Sequence, residues 1–164
     1  MNAEQAAVAQ FMSAFGQTVR EKPIIPSDEE VNLRIMLIEE EFEELQQAFV
    51  DQSKIEVADA IGDLLYVIYG TAITCGMDAG KIFHEIHRSN MSKFWKSHEV
   101  ATLLNRDAQE IFQYIDEKPL ENDEYKAKRI SKAHWVVTNK EGKIIKSPSY
   151  SEADIASQLG LFGC

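Results

Sequence analysis

The sequence predicts an all-α fold: an antiparallel helical bundle of four to five helices with a small C-terminal β-hairpin appendage. Two observations lead there. Helix-start signals open successive segments of helical apolar period joined by short connections, the pattern of an antiparallel bundle. Near residue 134 the pattern changes to two short runs of β-formers around a glycine-containing turn. At 164 residues the chain is long enough to bury a continuous core. It reads as a single domain spanning 1–164, with 97–133 an insertion and 134–155 the hairpin appendage.

The elements follow in order. Ala3 to Arg20 carries Val8, Phe11, Met12 and Phe15 at i, i+3, i+4 and i+7, an amphipathic helix. Lys22-Pro23-Ile24-Ile25-Pro26 breaks it. Ser27-Asp28-Glu29-Glu30 is a capping-box start for a second helix to about Asp51. Ser53-Lys54-Ile55-Glu56 is another, opening a third helix to about Gly76. Asp78 caps a fourth, through about Trp95. Residues 98 to 130 read as weaker helix with a break near Pro119. The β runs are His134 to Thr138 and Lys143 to Lys146, around Asn139-Lys140-Glu141-Gly142, and the tail from Gly160 to Cys164 reads as frayed.

Charge is unevenly spread. The net charge is −10, and the stretch from Asp28 to Asp63 accounts for all of it, with twelve acids against Arg34 and Lys54. The remainder is neutral. Local acidity without a basic patch argues against binding to nucleic-acid backbone. Cys75 and Cys164 are too few for a disulfide framework and lack metal-ligand spacing. The N-terminus has no signal-peptide pattern, and the longest apolar stretch, Ile55 to Met77, is interrupted by Glu56, Asp59 and Asp63, which argues against a membrane span. A cytoplasmic protein is expected.

Helical phase sorts the acids. At about 100° per residue, Glu40, Glu41 and Glu44 share a sector with Leu33, Leu37 and Ala48, whereas Glu39 and Glu43 fall on a wet edge. On the third helix Glu56, Asp59 and Asp63 form a stripe about 60° wide, and every other face is apolar. A helix apolar all round is expected to be buried, and buried carboxylates require a counter-charge. Facing helices of a bundle build metal sites from paired carboxylates. An oxygen-only donor set suits hard ions, so Mg²⁺ is favoured, with Mn²⁺ a possible substitute. Glu56 has a second explanation as the N3 member of its capping box. His84 and His87 lie away from both clusters.

These residues resemble a family. Glu40-Glu41-Phe42-Glu43-Glu44-Leu45 on one helix and Glu56-Val57-Ala58-Asp59 on the next look like the all-α nucleoside triphosphate pyrophosphohydrolases, the superfamily of MazG, phosphoribosyl-ATP pyrophosphohydrolase and the dimeric dUTPases. Phe11 to Gly16, Arg34 to Glu40 and Asp63-Leu64-Leu65-Tyr66-Val67 extend the likeness, and His87 to Lys93 and Gly142 to Tyr150 look like the MazG-like branch, so that it runs from about residue 8 to 155. Residues 97 to 133 match nothing in it. The resemblance implies Glu41, Glu44, Glu56 and Asp59 as principal Mg²⁺ ligands. Glu40 is then a further ligand or the catalytic group that orients water, beside Glu41. Asp63, one turn beyond Asp59, is a second-shell or alternate ligand.

The implied reaction takes an NTP or dNTP and water to the monophosphate and pyrophosphate, for house-cleaning or nucleotide-pool control. Arg88, Asn90 and Lys93 become substrate-binding candidates. Against that stands a polar helix end in which Arg88 and Lys93 favour the dipole. An enzyme acting on phosphoribosyl-ATP is the alternative within the superfamily, and a non-catalytic helical oligomerisation module is the alternative of another class. A helical bundle with so apolar a third helix is expected to form a homodimer or homotetramer.

Overall fold

The computed structural model describes residues 1–114 and 118–161. Seven helices and a three-stranded antiparallel sheet make up the chain among those residues: α1 (Ala3–Ala14), α2 (Asp28–Val50), α3 (Lys54–Thr74), α4 (Ala79–Met91), α5 (Ser97–Leu104), α6 (Ala108–Gln113), β1 (Leu120–Glu121), β2 (Tyr125–Arg129), β3 (Trp135–Asn139) and α7 (Ile155–Gln158). They fall into two compact units, one of Met1–Phe83 with Ile155–Cys164 and one of His84–Asp154.

In the first unit, α1 and α2 both pack on α3. α1 starts at Asn2, whose side chain accepts from the Gln5 amide at 2.9 Å. Gln5 is buried, donating to Met77 O at 2.8 Å and accepting from Ala79 N at 3.0 Å, so a polar core residue ties α1 to the α3–α4 junction. The apolar stripe read on this helix divides. Val8 and Met12 are buried with Ile73, while Phe11 and Phe15 are exposed, stacked on each other at 4.4 Å, with the Phe11 ring edge-on to Tyr66 at 5.7 Å. α1 also stops at Ala14, short of Arg20.

The Ser27 capping box of α2 is complete: Ser27 Oγ accepts from Glu30 N and Glu30 Oε2 accepts from Ser27 N. α3 ends in a full Schellman motif, with Gly76 N bonded to Ile73 O and Met77 N to Ala72 O around Gly76 at φ +68°. The segment 20–24 lies directly against this end, through Arg20 N to Ile73 O and Ile24 N to Cys75 O.

The expectation that α3 is buried all round needs correction. Its buried residues are Ala60, Gly70, Ile73 and Thr74, whereas Ile55, Ile61, Leu65, Tyr66 and Ile68 are exposed, Leu65 by 54% and Ile55 by 84%. On α2, Leu33, Ile35, Met36, Phe42 and Phe49 are exposed as well. Two neighbouring helices cover only part of a cylinder, and among the described residues of the first unit these apolar side chains stay exposed. α3 is long and apolar enough to cross a membrane by length and composition alone.

The second unit has its own core of Trp95, Val100, Ala101, Leu104, Ile111, Leu120, Ala127, Trp135 and Val137. Within it, the segment read as weak helix from 98 to 130 is helical only over α5 and α6. It then supplies β1 and β2, pairing as Leu120 with Ala127 and as Ala127 with Val137. β3 coincides with the first β run. The returning run from Lys143 closes the expected turn, with Asn139 N to Lys143 O at 2.9 Å and Gly142 at φ +83°, but makes only a bridge between Ile144 and Thr138. α4 ends at Met91 rather than Trp95, because Trp95 is drawn into reciprocal backbone bonds with Trp135. Cys164 and the end of the tail lie outside the described residues.

Candidate functional site

The antiparallel packing of α2 on α3 sets the site. Arg34 meets Gly70 at one end of the seam, Glu41 lies in the field of Asp63 and Asp59 midway, and Glu44, Gln47 and Ala48 face Glu56, Asp59 and Ala60 at the other end. Small side chains make the approach possible: Ala48 and Ala60 are both buried, and the longer carboxylates stand around them. Glu44, Gln47, Glu56 and Asp59 thereby line a cleft of about 200 Å³.

Glu41 is the half-buried member; Glu40, Glu44, Glu56, Asp59 and Asp63 are exposed. Burial first, then the charges of Asp63, Glu44, Glu40 and Asp59, push its carboxyl above the usual carboxylate range. None of the six carboxylates takes part in an ion pair among the described residues. The site is therefore a set of mutually repelling anions with no base among them. No three acidic, histidine or cysteine side chains among the described residues converge as a closed cage. An acid-only donor set of this kind suits a hard divalent cation. Glu39 and Glu43 are exposed, as helical phase predicts.

At Glu56 the two halves of the expected capping box part company. Ser53 Oγ accepts from Glu56 N at 3.3 Å, but the Ser53 amide donates to Ala48 O, so the Glu56 carboxylate is not engaged by the cap. The box at Ser53 is thus half of the one expected, and its unused carboxylate lies beside Glu44 and Asp59.

Arg88, Asn90 and Lys93 belong to the second unit. Arg88 forks onto Glu85 through Nε at 2.9 Å and Nη2 at 2.7 Å, and Nη2 also donates to Glu152 O at 2.7 Å. The Asp154 amide donates to Glu85 as well, and together these contacts hold the Glu85 carboxyl down at about 2. Arg88 thus ties α4 to the 152–154 segment through three of its five donors. Lys93 Nζ donates to Asn90 Oδ1 at 2.7 Å, leaving the Asn90 amide donors available. Asn90 and Lys93 line a cleft of about 290 Å³ whose other walls are Met91, Phe94, Val136 and Ile144. Lys146 Nζ sits 4.1 Å from the centre of the Tyr150 ring, and the Tyr150 hydroxyl accepts from Ser89 Oγ, which lowers its pKa.

Sequence reasoning passed over Arg34 as a site residue. The one available signal was its isolation: a single arginine on a helix otherwise rich in acids.

A family model described as phosphoribosyl-ATP pyrophosphohydrolase matches residues 8–90. The match takes in Glu40, Glu41, Glu44, Glu56, Asp59 and Asp63 and ends at Asn90. The uncharacterized protein L479 of Acanthamoeba polyphaga mimivirus is 31% identical over 126 residues, covering 70% of this chain and 50% of that one. The chain therefore spans about half the length of this curated relative.

Proposed function

The chain belongs to the phosphoribosyl-ATP pyrophosphohydrolase family, within the MazG-like all-α nucleoside triphosphate pyrophosphohydrolases, and on that premise we propose that it hydrolyses an NTP or dNTP to the monophosphate and pyrophosphate with Mg²⁺. The observation that carries this reading is Glu41, half-buried among four other carboxylates and lacking a base.

In the proposed mechanism Glu41, Glu44, Glu56 and Asp59 would hold the ion, with Asp63 a support or alternate ligand. When bound, Mg²⁺ supplies positive charge to the phosphate oxygens and acidifies the attacking water. Glu40, exposed one residue from Glu41, accepts the proton of a water whose oxygen attacks the α-phosphorus. The α–β anhydride bond breaks and pyrophosphate leaves. Asn90 and Lys93 offer an amide donor and an ammonium to sugar or phosphate. The carboxylate cluster midway along the seam repels a free triphosphate, so binding there is expected to require the ion.

The description of the matching family favours a second substrate, phosphoribosyl-ATP itself, cleaved at the same bond. The exposed apolar faces of α2 and α3 support self-association as a homodimer or homotetramer. A panel of NTPs, dNTPs and phosphoribosyl-ATP, assayed for pyrophosphate rather than orthophosphate with Mg²⁺ or Mn²⁺, tests the reading. Pyrophosphate should appear with the wild type and be lost with Glu41→Gln. No pyrophosphate from any nucleotide would overturn it.

A further inference from the structure

Arg34 is a half-buried guanidinium that makes no ion pair among the described residues. The other arginines are engaged: Arg20 with Glu30, Arg88 with Glu85, Arg106 with Glu110, and Arg129 with the carbonyls of Ser131 and Lys132. Among the described residues Arg34 makes one hydrogen bond, from Nη2 to Gln17 Oε1 at 3.2 Å, out of five donors. Glu30, the carboxylate whose field reaches Arg34, has both oxygens held by Arg20 at 2.9 and 3.0 Å.

The surroundings leave room for this guanidinium. Gly70 faces it from α3, where a Cβ would stand 3.0 Å from Nη1. Gly16, Gln17, Thr18, Glu30 and Arg34 line an open cleft of about 240 Å³, and the Glu30 carboxylate in that wall is paired with Arg20. Burial works against ionisation of the guanidinium, and the field of Glu30 only partly offsets it. A positive group held half-dry beside an open cleft is most stable with an anion in front of it.

Its register says which anion. Arg34 and Glu41 are seven residues apart on α2, and their partners Gly70 and Asp63 are seven apart on α3. Seven residues are two turns, about 10.5 Å, and return to within about 20° of the same face. Arg34 and the carboxylates thus stand on one seam with their backbone positions about 10.5 Å apart, a span on the scale of a triphosphate chain and its end hydrogen bonds. Arginine presents a planar fork suited to phosphate oxygens.

We propose that Arg34 binds the terminal phosphate of the nucleotide, the end that leaves as pyrophosphate. This rests on the hydrolase reading of the carboxylate seam. Arg34 is then a substrate-binding residue that distinguishes triphosphates from diphosphates.

Two readouts test this. Kinetics compare an NTP with the matching NDP for the wild type, Arg34→Ala, Arg34→Lys and Gly70→Ala; calorimetry follows pyrophosphate binding to each protein with Mg²⁺, without turnover. Arg34→Ala should weaken pyrophosphate binding and raise the NTP KM by about ten- to a hundredfold, with little effect on any NDP turnover. Arg34→Lys should recover part of the loss. Gly70→Ala, which keeps the charge but crowds it, should fall between, and these two variants carry the test if Arg34→Ala does not fold. Unchanged pyrophosphate affinity in the variants, or equal losses for NTP and NDP, overturns the inference even if the wild type hydrolyses nucleotides. Arg34-dependent pyrophosphate binding by a wild type that releases none from any nucleotide would instead sink the hydrolase reading and leave the phosphate site standing. A wild type showing neither hydrolysis nor pyrophosphate binding overturns both.

Discussion

Replacing Gly76 with alanine separates two effects that are often confounded. Gly76 (φ +68°) and Gly16 (φ +70°) have nearly the same left-handed backbone, but their surroundings differ. A Cβ on Gly16 meets nothing within 4 Å, whereas one on Gly76 would lie 2.0 Å from the Lys22 carbonyl oxygen and 2.6 Å from its carbon. Each alanine incurs the left-handed penalty of roughly 1–2 kcal/mol. At Gly76 the obstructing atoms are backbone and cannot rotate away, so the 20–24 segment must move. That movement strains Ile24 N to Cys75 O at 2.9 Å and Arg20 N to Ile73 O at 3.3 Å, each worth about 1 kcal/mol net, and adds an overpacking term of about 1–3 kcal/mol. Gly16→Ala should therefore destabilise by about 1–2 kcal/mol and Gly76→Ala by about 4–7 kcal/mol. Urea unfolding followed by far-ultraviolet circular dichroism, without metal, measures both. If the two variants agree within about 1 kcal/mol, the 20–24 segment does not press on the end of α3 and the argument fails.

Other consequences are open to measurement. Burial and like charges raise the Glu41 carboxyl. Its contribution to metal-free stability is therefore fully present below the unfolded value and is lost as pH rises through the folded one. At neutral pH Glu41→Gln should leave the metal-free stability unchanged or slightly higher, by up to about 1 kcal/mol, while losing most of the Mg²⁺-induced gain. That gain is about 2.7 kcal/mol for the wild type at a hundredfold excess over Kd; a full metal response in the variant would count against the site. Glu85 behaves oppositely. Its carboxyl is held at about 2, from 4.5, so its stabilisation is present above 4.5 and is lost as pH falls toward 2. Fluorescence of Trp95 and Trp135 during acid titration should show a later transition for the wild type than for Glu85→Gln, and coincident transitions would contradict this. Leu65→Glu, on the exposed face of α3, should shift sedimentation toward the monomer. In a protein already monomeric it should be neutral within about 0.5 kcal/mol, which would remove the case for self-association through that face.

The helices that build the site were legible because their signals are local. Ser27 and Glu30 form the capping box their spacing predicts, and the phases of Glu39 and Glu43 against Glu41 follow from helical geometry alone. What depended on contacts distant in sequence was not legible. Tyr125-Lys126-Ala127-Lys128-Arg129 has a strand's alternation, with Ala127 buried and both lysines exposed, but its pairing with β3 decides it, and that pairing lies outside any helical window. The composition of α3 correctly marks apolar surface that water disfavours; it does not say whether the chain or another molecule covers it. Arg34 stood in plain view as a base in an acidic stretch. Its meaning required the inter-helix register that sets it against Gly70.

The equal spacing along α2 and α3 also constrains how such a protein can change. Inserting one residue between Arg34 and Glu41 would rotate one end of the seam by about 100° relative to the other, leaving the guanidinium and the carboxylates on different faces. Only matched insertions of whole heptads in both helices would lengthen the gap and preserve facing, in steps of about 10.5 Å with a drift of about 20°. Point substitutions can retune the chemistry at either end. The distance between the ends is held by backbone rise and behaves as a quantised length, open to drift in kind but not in degree.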